Sequence, residues 1–422
     1  LSRLYQDMDN AQGSRDALDR AQRVAPRDPE VAYQYGQFLE AQGDANGAEA
    51  QYSRAVANAP AHIPSRLALG ALYAARRDTA RASQQYSAAL EAGASNPVEL
   101  KRIGEVLLAA GEYESAATAF ERGVEADSND PQLHHDLGRA YFQLGKLSEA
   151  QREEQLALDL RGGQYPEALV GLGDIALARN DFGGAVGQYN TAVKLDAGLT
   201  AAYLGLGRAS AAAGNWAVAQ AHFNDAVRSD PQSAEAHLWL AESLVRQSDP
   251  NGAIGEFARA LAIKPNYPEA YFGLAQAQMA IGQYDLARKN LDSALILRPS
   301  FAEALLLQGK LNEQQGDDAA AIQLYSAAIQ ANDKLAEPAY RRALLYMRND
   351  RLDEATSDLE MAIDIQPNFP EAHYWLGRAY LAQGQPKAAR PELQRAIDQR
   401  GGSYSEASFY LSVAEQQLAT AQ

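Results

Sequence analysis

The segment Ala372-His373-Tyr374-Trp375-Leu376-Gly377-Arg378-Ala379-Tyr380 decides the fold, because its pattern of small and large residues returns along the whole chain. With Gly377 as the marker, a small residue recurs every 34 residues, except for one interval of 35 between Gly138 and Gly173. The twelve markers are Ser2, Gly36, Gly70, Gly104, Gly138, Gly173, Gly207, Ala241, Ala275, Gly309, Ala343 and Gly377. A fixed period of this size indicates stacked supersecondary units.

Two further sets of equivalent repeat positions, which we call columns, keep the same register as the markers. Twelve residues after each marker the chain has Ala, apart from Ser14, and seven residues later it has Ala again, apart from Gly123. Between them lies a large residue, and Glu154 is the only charged side chain in that column. Small residues let two helices approach closely, and a large residue at helical spacing fills the gap beside them. We therefore expect the repeat of Glu154 to pack less well than the others.

These columns resemble the tetratricopeptide-repeat (TPR) pattern Trp-x2-Leu-Gly-x2-Tyr, followed by Ala-x3-Phe-x2-Ala and Pro, and the resemblance covers essentially the whole chain. It implies an all-α TPR superhelical solenoid of about twelve 34-residue helix-turn-helix repeats plus a closing helix. It also implies an inner groove lined mainly by the first helix of each repeat. We predict one continuous array over 1–422, with a truncated first repeat at 1–28, eleven full repeats at 29–404 and a closing helix at 405–422.

Composition excludes several classes of function. The formal charge of −16 comes without a basic stripe, which argues against a nucleic-acid partner. No stretch is long and apolar enough to predict a membrane span. Cysteine is absent, so disulfides and thiolate metal sites are impossible. The lack of thiols favours a location outside the cytoplasm (periplasm, cell surface or secreted), with a cytoplasmic location as the alternative. The resemblance to TPR arrays of envelope and surface machines implies a bacterial source. The start at Leu1 indicates that an N-terminal region has been removed.

No catalytic motif is found, and we expect neither an enzyme nor a cofactor or metal site. Gly171-Leu-Gly173 and Gly205-Leu-Gly207 fall inside first helices at the packing column, where they do not form a dinucleotide-binding loop. His134, His237 and His373 stand where the TPR pattern has Trp, so we interpret them as packing residues. His134 and His135 are adjacent on a helix and point about 100° apart, which hinders a shared metal.

The register places a set of aromatic and cationic residues on the inner side of the first helices, and such residues are favoured at protein interfaces. Our candidate partner-binding residues are Tyr340, Arg341, Tyr374, Trp375, Arg378 and Trp239. Packing against neighbouring repeats is an equally good interpretation of Trp239, Tyr374 and Trp375. Some TPR proteins hold a peptide carboxylate with Lys, Asn and Arg, but this chain lacks the Asn of that clamp.

Both ends of the chain resemble interior repeats that have been cut open. Leu1, Leu4 and Tyr5 at one end, and Phe409, Tyr410 and Leu411 at the other, are therefore possible end-to-end contacts. Complementary ends on one molecule form a heterologous contact that propagates into a filament unless it closes. The leading hypothesis is a non-enzymatic scaffold that binds partner proteins or peptides along the groove. The alternative is a structural subunit of a head-to-tail extracellular filament.

Overall fold

The computed structural model describes residues 11–93 and 96–420, and within these ranges every regular element is an α-helix. Compactness divides the chain into two units, one ending at Asn215 and the other beginning at Trp216. Both units alternate between first helices, here the even-numbered ones, and second helices, the odd-numbered ones. The predicted all-α class, with its alternation of first and second helices, is confirmed. The single continuous array over 1–422 stays a prediction.

Unit 1 contains twelve described helices. They are α1 (Ala11–Val24), α2 (Pro29–Ala41), α3 (Ala45–Asn58), α4 (Ile63–Ala75), α5 (Thr79–Ala92), α6 (Pro97–Ala109), α7 (Tyr113–Ala126), α8 (Pro131–Gln143), α9 (Leu147–Leu160), α10 (Pro166–Ala178), α11 (Phe182–Leu195) and α12 (Thr200–Ala212).

Unit 2 contains twelve more. They are α13 (Trp216–Ser229), α14 (Ala234–Arg246), α15 (Pro250–Ile263), α16 (Pro268–Ala280), α17 (Tyr284–Leu297), α18 (Ala302–Gln314), α19 (Asp318–Ala331), α20 (Ala336–Arg348), α21 (Leu352–Ile365), α22 (Pro370–Ala382), α23 (Pro386–Gln399) and α24 (Ser405–Thr420). The last of these corresponds to the predicted closing helix.

The turn between the helices of a repeat has a clear local cause. Gly43 has a φ of 79° and Gly316 a φ of 81°, a left-handed conformation that costs glycine little. The next residues, Asp44 and Asp317, cap the second helix: each carboxylate accepts a hydrogen bond from the backbone N–H three residues on, at 2.9 and 3.0 Å. The Gly-Asp pair therefore ends one helix and begins the next.

The large column fills a slot between first helices, as the sequence predicts. The rings of Tyr52, Tyr86, Phe120, Tyr189, Phe223, Phe257 and Tyr325 are among the most completely buried side chains of the described residues. A Cβ on Gly36 would collide with the ring of Tyr52, and one on Gly309 with the ring of Tyr325. The small column is thus required by ring packing. Glu154 is only 1% exposed, so its repeat buries this position as completely as the others.

The extra residue between Gly138 and Gly173 is absorbed in the turn after α9. Gly162 and Gly163 both have positive φ there, at 61° and 79°. Gly401 and Gly402 repeat the arrangement after α23, at 63° and 84°. Residues with a Cβ rarely adopt two consecutive left-handed conformations, so the Gly-Gly pair explains how each longer turn is formed.

Candidate functional site

The even-numbered helices of unit 2 present the surface that we call the first-helix face. Two of them, α20 and α22, carry five of the predicted partner-binding residues. Tyr340 and Arg341 lie on α20, and Tyr374, Trp375 and Arg378 lie on α22. Residues three and four apart on a helix are neighbours, so Arg378 comes next to both Trp375 and Tyr374. The structure brings the three α22 side chains into one cluster, which the closing helix α24 completes.

The centre of this cluster is the Arg378 guanidinium. Its Cζ lies 4.8 Å from the ring centre of Trp375, 4.5 Å from that of Tyr410 and 5.9 Å from that of Tyr374. Tyr374 also packs edge-on against Trp375, with ring centres 5.3 Å apart, and its ring is tilted by 38° against that of Tyr404 at 5.2 Å. We call Tyr374, Trp375, Arg378, Tyr404 and Tyr410 the Arg378 cluster. Cation–π contacts hold it together.

Arg378 differs from the other predicted cation of this face. Arg341 donates to Glu337 at 2.8 Å and to Glu313 at 3.3 Å. Lys310 approaches the same Glu337 at 2.7 Å. Although burial opposes it, hydrogen bonds from Lys310 and Arg341 hold the pKa of Glu337 below its usual value. Arg341 is therefore neutralised by its neighbours.

Arg378, in contrast, forms no ion pair with a carboxylate in the described part of the chain. The rings of Trp375, Tyr410 and Tyr374 lie close to its guanidinium, which still has N–H donors for an acceptor. Arg378 is half-buried, and burial of a cation without an anion has a cost that a partner supplying an acceptor would offset. Among the predicted residues, Arg378 is thus the one with donor capacity left for a ligand.

Trp239 is not part of this cluster. It lies on α14, where its ring stacks on Phe223 with centres 5.7 Å apart and planes tilted by 18°. Glu242 follows one turn later, and burial raises the pKa of its carboxyl, with Arg246 opposing that effect. The packing interpretation of Trp239 therefore has a defined partner ring, and a ligand role for it remains a prediction.

A second column of aromatic residues was not predicted from the sequence. Just before several first helices stands an aromatic residue or His that packs on the fifth residue of the preceding first helix. The ring pairs are Tyr33–His62 at 5.8 Å, His135–Tyr165 at 5.5 Å, Phe272–Phe301 at 5.1 Å, Tyr340–Phe369 at 4.8 Å and Tyr374–Tyr404 at 5.2 Å. The signal was a spacing of 29 or 30 residues between aromatic residues.

The histidines at the Trp position of the pattern are buried, in agreement with a packing role. They also share a contact with a glutamate that the sequence did not predict. His134, His237 and His373 each place Nδ1 on a glutamate nineteen residues later, at 2.7, 2.7 and 2.6 Å. Each Nε2 lies on a backbone carbonyl at 3.1 or 3.2 Å. Both ring nitrogens are engaged, so these side chains have a structural role in each repeat. Among residues 11–93 and 96–420, no cluster of His, Asp and Glu has a metal-binding arrangement.

The predicted end contacts are described only on α24. Phe409 is 61% exposed and packs edge-on against Tyr410, with ring centres 5.2 Å apart. Tyr410 belongs to the Arg378 cluster, and Leu411 is half-buried. Leu1, Leu4 and Tyr5 lie outside the described residues. No helix within the described ranges has the length and apolar character needed to span a membrane.

Comparison with known proteins decides the family. The tetratricopeptide-repeat pattern matches residues 1–63, 67–131, 204–268, 272–336 and 340–415, and a second tetratricopeptide-repeat pattern matches 107–168. The chain belongs to the tetratricopeptide-repeat family. Members of this family serve generally as non-catalytic scaffolds for protein–protein interaction.

Individual relatives add little to this assignment. A probable serine/threonine-protein kinase BSK3 of Oryza sativa subsp. japonica is 33% identical over 82 residues, which are 19% of this chain and 17% of that protein. The crystal structure of the APC/C hetero-tetramer Cut9–Hcn1 aligns over 98% of this TPR chain and 95% of the other, with 15% identity and a TM-score of 0.45. A crystal structure of MamA aligns over 38% of this chain and 95% of its own, with 27% identity and a TM-score of 0.36.

Proposed function

We propose that this TPR protein is a scaffold that binds partner proteins or peptides on its first-helix face, and that it does so without catalysis. The observation that carries the proposal is the Arg378 cluster. It combines three Tyr, one Trp and a guanidinium that has no carboxylate partner among the described residues, and these residue types dominate binding hot spots. Rings held against each other lose little conformational entropy when a ligand arrives.

Selection of peptides from a random library on the purified chain tests this proposal. Selected peptides are expected to bind at least tenfold more weakly to Arg378→Gln, because glutamine has no charge and offers the ligand fewer N–H donors. Trp375→Ala should weaken the same peptides. Tyr284→Ala is the matched control, since Tyr284 is an exposed aromatic residue on the second helix α17. Peptides that bind Arg378→Gln and Trp375→Ala as well as the unaltered chain would refute the assignment of this face.

We also propose a location outside the cytoplasm, in the envelope of a bacterium or beyond it. Support comes from the absence of cysteine, which avoids unwanted thiol oxidation in an oxidising compartment. Fractionation of the source cells with an antibody against the chain tests this location. A signal confined to the cytosolic fraction would contradict it.

A head-to-tail filament subunit is the second candidate, favoured by the exposed ring of Phe409 on α24. Light scattering coupled to size-exclusion chromatography over a concentration series tests it. Growth beyond the monomer mass of 45.6 kDa is expected, and Phe409→Glu should abolish it by placing a charge in the contact. A constant monomer at all concentrations would eliminate this candidate.

A further inference from the structure

A groove of about 510 Å³ lies between the consecutive second helices α19 and α21 of unit 2. It is separate from the first-helix face. Helix α19 and the turn after it contribute one wall, and α21 contributes the other. The lining residues are Ile329, Asp333, Ser357, Glu360, Met361, Asp364 and Ile365.

The floor of this groove is apolar. Ser357, Met361 and Ile365 follow each other at intervals of four, so they form one stripe along α21. Ile329 of α19 lies across from them and packs against the same hydrophobic cluster as Ile365. Met361 is 36% exposed. Methionine is flexible and adapts its shape to an apolar ligand surface.

The rim of the groove is acidic. Glu360 and Asp364 flank the apolar stripe at one-turn spacing, and Asp333 stands on the opposite wall. Glu360 accepts a hydrogen bond from the Tyr380 hydroxyl at 2.6 Å, which leaves its charge uncompensated. Asp333 and Asp364 form no ion pair with any described residue. Of the described residues that line the groove, none is Lys, Arg or His.

Unit 1 contains a smaller groove of about 250 Å³ at the same repeat positions, between α5 and α7. Leu90 and Arg122 occupy the repeat positions that Ile329 and Met361 occupy in unit 2. Arg122 lines this groove and pairs with Glu91 of the opposite wall at 3.4 Å, so a cation stands where unit 2 has Met361. In unit 2 the cation is replaced by Met361, and three carboxylates remain around an uncovered apolar floor.

We propose that the α19–α21 groove docks a basic amphipathic helix of a partner protein. Its apolar side would lie on Ile329, Met361 and Ile365, and its Lys or Arg side chains would meet the three carboxylates. Helix α21 has 14 residues, about 21 Å, so a partner helix of about four turns covers the groove. The negative charge of the whole chain, −16, attracts a cationic partner. This proposal stands independently of the function proposed for the first-helix face.

Fluorescence anisotropy with a defined probe tests the proposal. The probe is a labelled synthetic helix of about 18 residues of Leu, Lys and Ala, with all Leu on one side. The control peptide has the same composition with Leu scattered around the helix. The first peptide is expected to bind about tenfold more tightly than the second, because only the first matches an apolar floor with an acidic rim. Equal binding of the two peptides would overturn the proposal.

Two groups of variants locate the binding. Met361→Arg copies the residue of unit 1, and it should weaken the probe at least tenfold because the cation repels the peptide and covers the floor. Asp333→Asn with Asp364→Asn should weaken binding and flatten its salt dependence. Val218→Arg is the matched control, because it makes the same apolar-to-cation change at an exposed residue of the second helix α13, and it should have no effect. Unchanged binding by Met361→Arg, or an equal loss by Val218→Arg, would refute the assignment.

A second copy of the chain is the competing occupant. If the probe does not bind, and if Met361→Arg instead abolishes self-association in light scattering, the groove belongs to a homo-oligomer and the basic-helix proposal is wrong. Hydrogen exchange on the bound complex gives the positive mapping. Protection is expected for amides of α19 and α21, and a footprint confined to α20 and α22 would contradict it.

Discussion

Two consecutive repeats of unit 1 fill the same slot with opposite chemistry. Tyr189 stands between Gly173 of α10 and Gly205 of α12, where a Cβ on either glycine would collide with its ring. Glu154 stands between Gly138 of α8 and Gly171 of α10 in the same way. Both side chains are almost completely buried, at 0% and 1% exposure. The glycine slot is therefore a feature of the fold, and its occupant can vary.

The two occupants satisfy their polar atoms differently. The Tyr189 hydroxyl donates to Asp174 at 2.7 Å at the edge of the slot. Glu154 has its carboxylate inside the slot and meets Nδ1 of His135 at 2.8 Å. Burial raises the pKa of Glu154 to about 7, although the hydrogen bond and charge of His135 oppose this. A buried carboxyl is tolerated here because it has a hydrogen-bond partner and can hold a proton.

The largest expected effect is on the aromatic slot. Tyr189→Ala removes a fully buried ring and the hydroxyl that donates to Asp174, so the free energy of unfolding should fall by about 3–5 kcal/mol. Hydrogen exchange of the amides of α10–α12 measures this locally. Amides around Tyr325 in unit 2 should keep their protection, because stability in repeat proteins is a sum of neighbouring terms. Uniform loss of protection in both units would contradict local stability.

The next effect is a pH dependence of the carboxyl slot. Folded Glu154 has a pKa near 7 and the unfolded side chain one near 4.5, so the folded state binds more protons between these values. Stability is therefore highest below the unfolded pKa, decreases as pH rises through about 7, and then levels off. Between pH 5 and pH 8 the loss should be on the order of 2 kcal/mol.

Urea unfolding of the whole chain at the two pH values, followed on the amides of α8–α10, measures this loss. Glu154→Gln is the matched control, since it keeps the shape and removes the titrating proton. The difference between the unaltered chain and Glu154→Gln should therefore change with pH. A constant difference would show that Glu154 does not titrate in this range.

The smallest effect converts one slot into the other. Glu154→Tyr places a ring between Gly138 and Gly171, which leave the same room as the glycines around Tyr189. The ring adds packing, but the change also leaves Nδ1 of the buried His135 without its carboxylate partner. These two effects oppose each other, so we expect a change of less than about 1 kcal/mol at pH 8. Chemical denaturation of the variant checks this. A clear loss would show that the pairing of His135 matters more than the packing of the ring.

The sequence predicted which residues lie on the first-helix face, but it did not predict which contacts they make. Register alone placed Tyr374, Trp375 and Arg378 on one helix, and the structure brings them together. Register could not show that Tyr404 and Tyr410 join them from the next turn and helix, because that depends on the angle at which α24 packs. Register also did not predict that Arg341 forms ion pairs with Glu337 and Glu313, because one of these pairs joins different helices. Arg378 has no such pair among the described residues.

The sequence by itself determined the repeat, the helices and the turns. Those features depend on local causes: a 34-residue period, alternating small and large columns, and Gly-Asp at the start of second helices. Only the tertiary structure decided the partner of each buried polar side chain, such as His135 for Glu154. Only it could show that Arg122 forms an ion pair across one groove, while Met361 leaves the carboxylates of the larger counterpart without a cation among the lining residues. Such pairings join residues from different helices, and their geometry is set by packing, which a one-dimensional pattern does not contain.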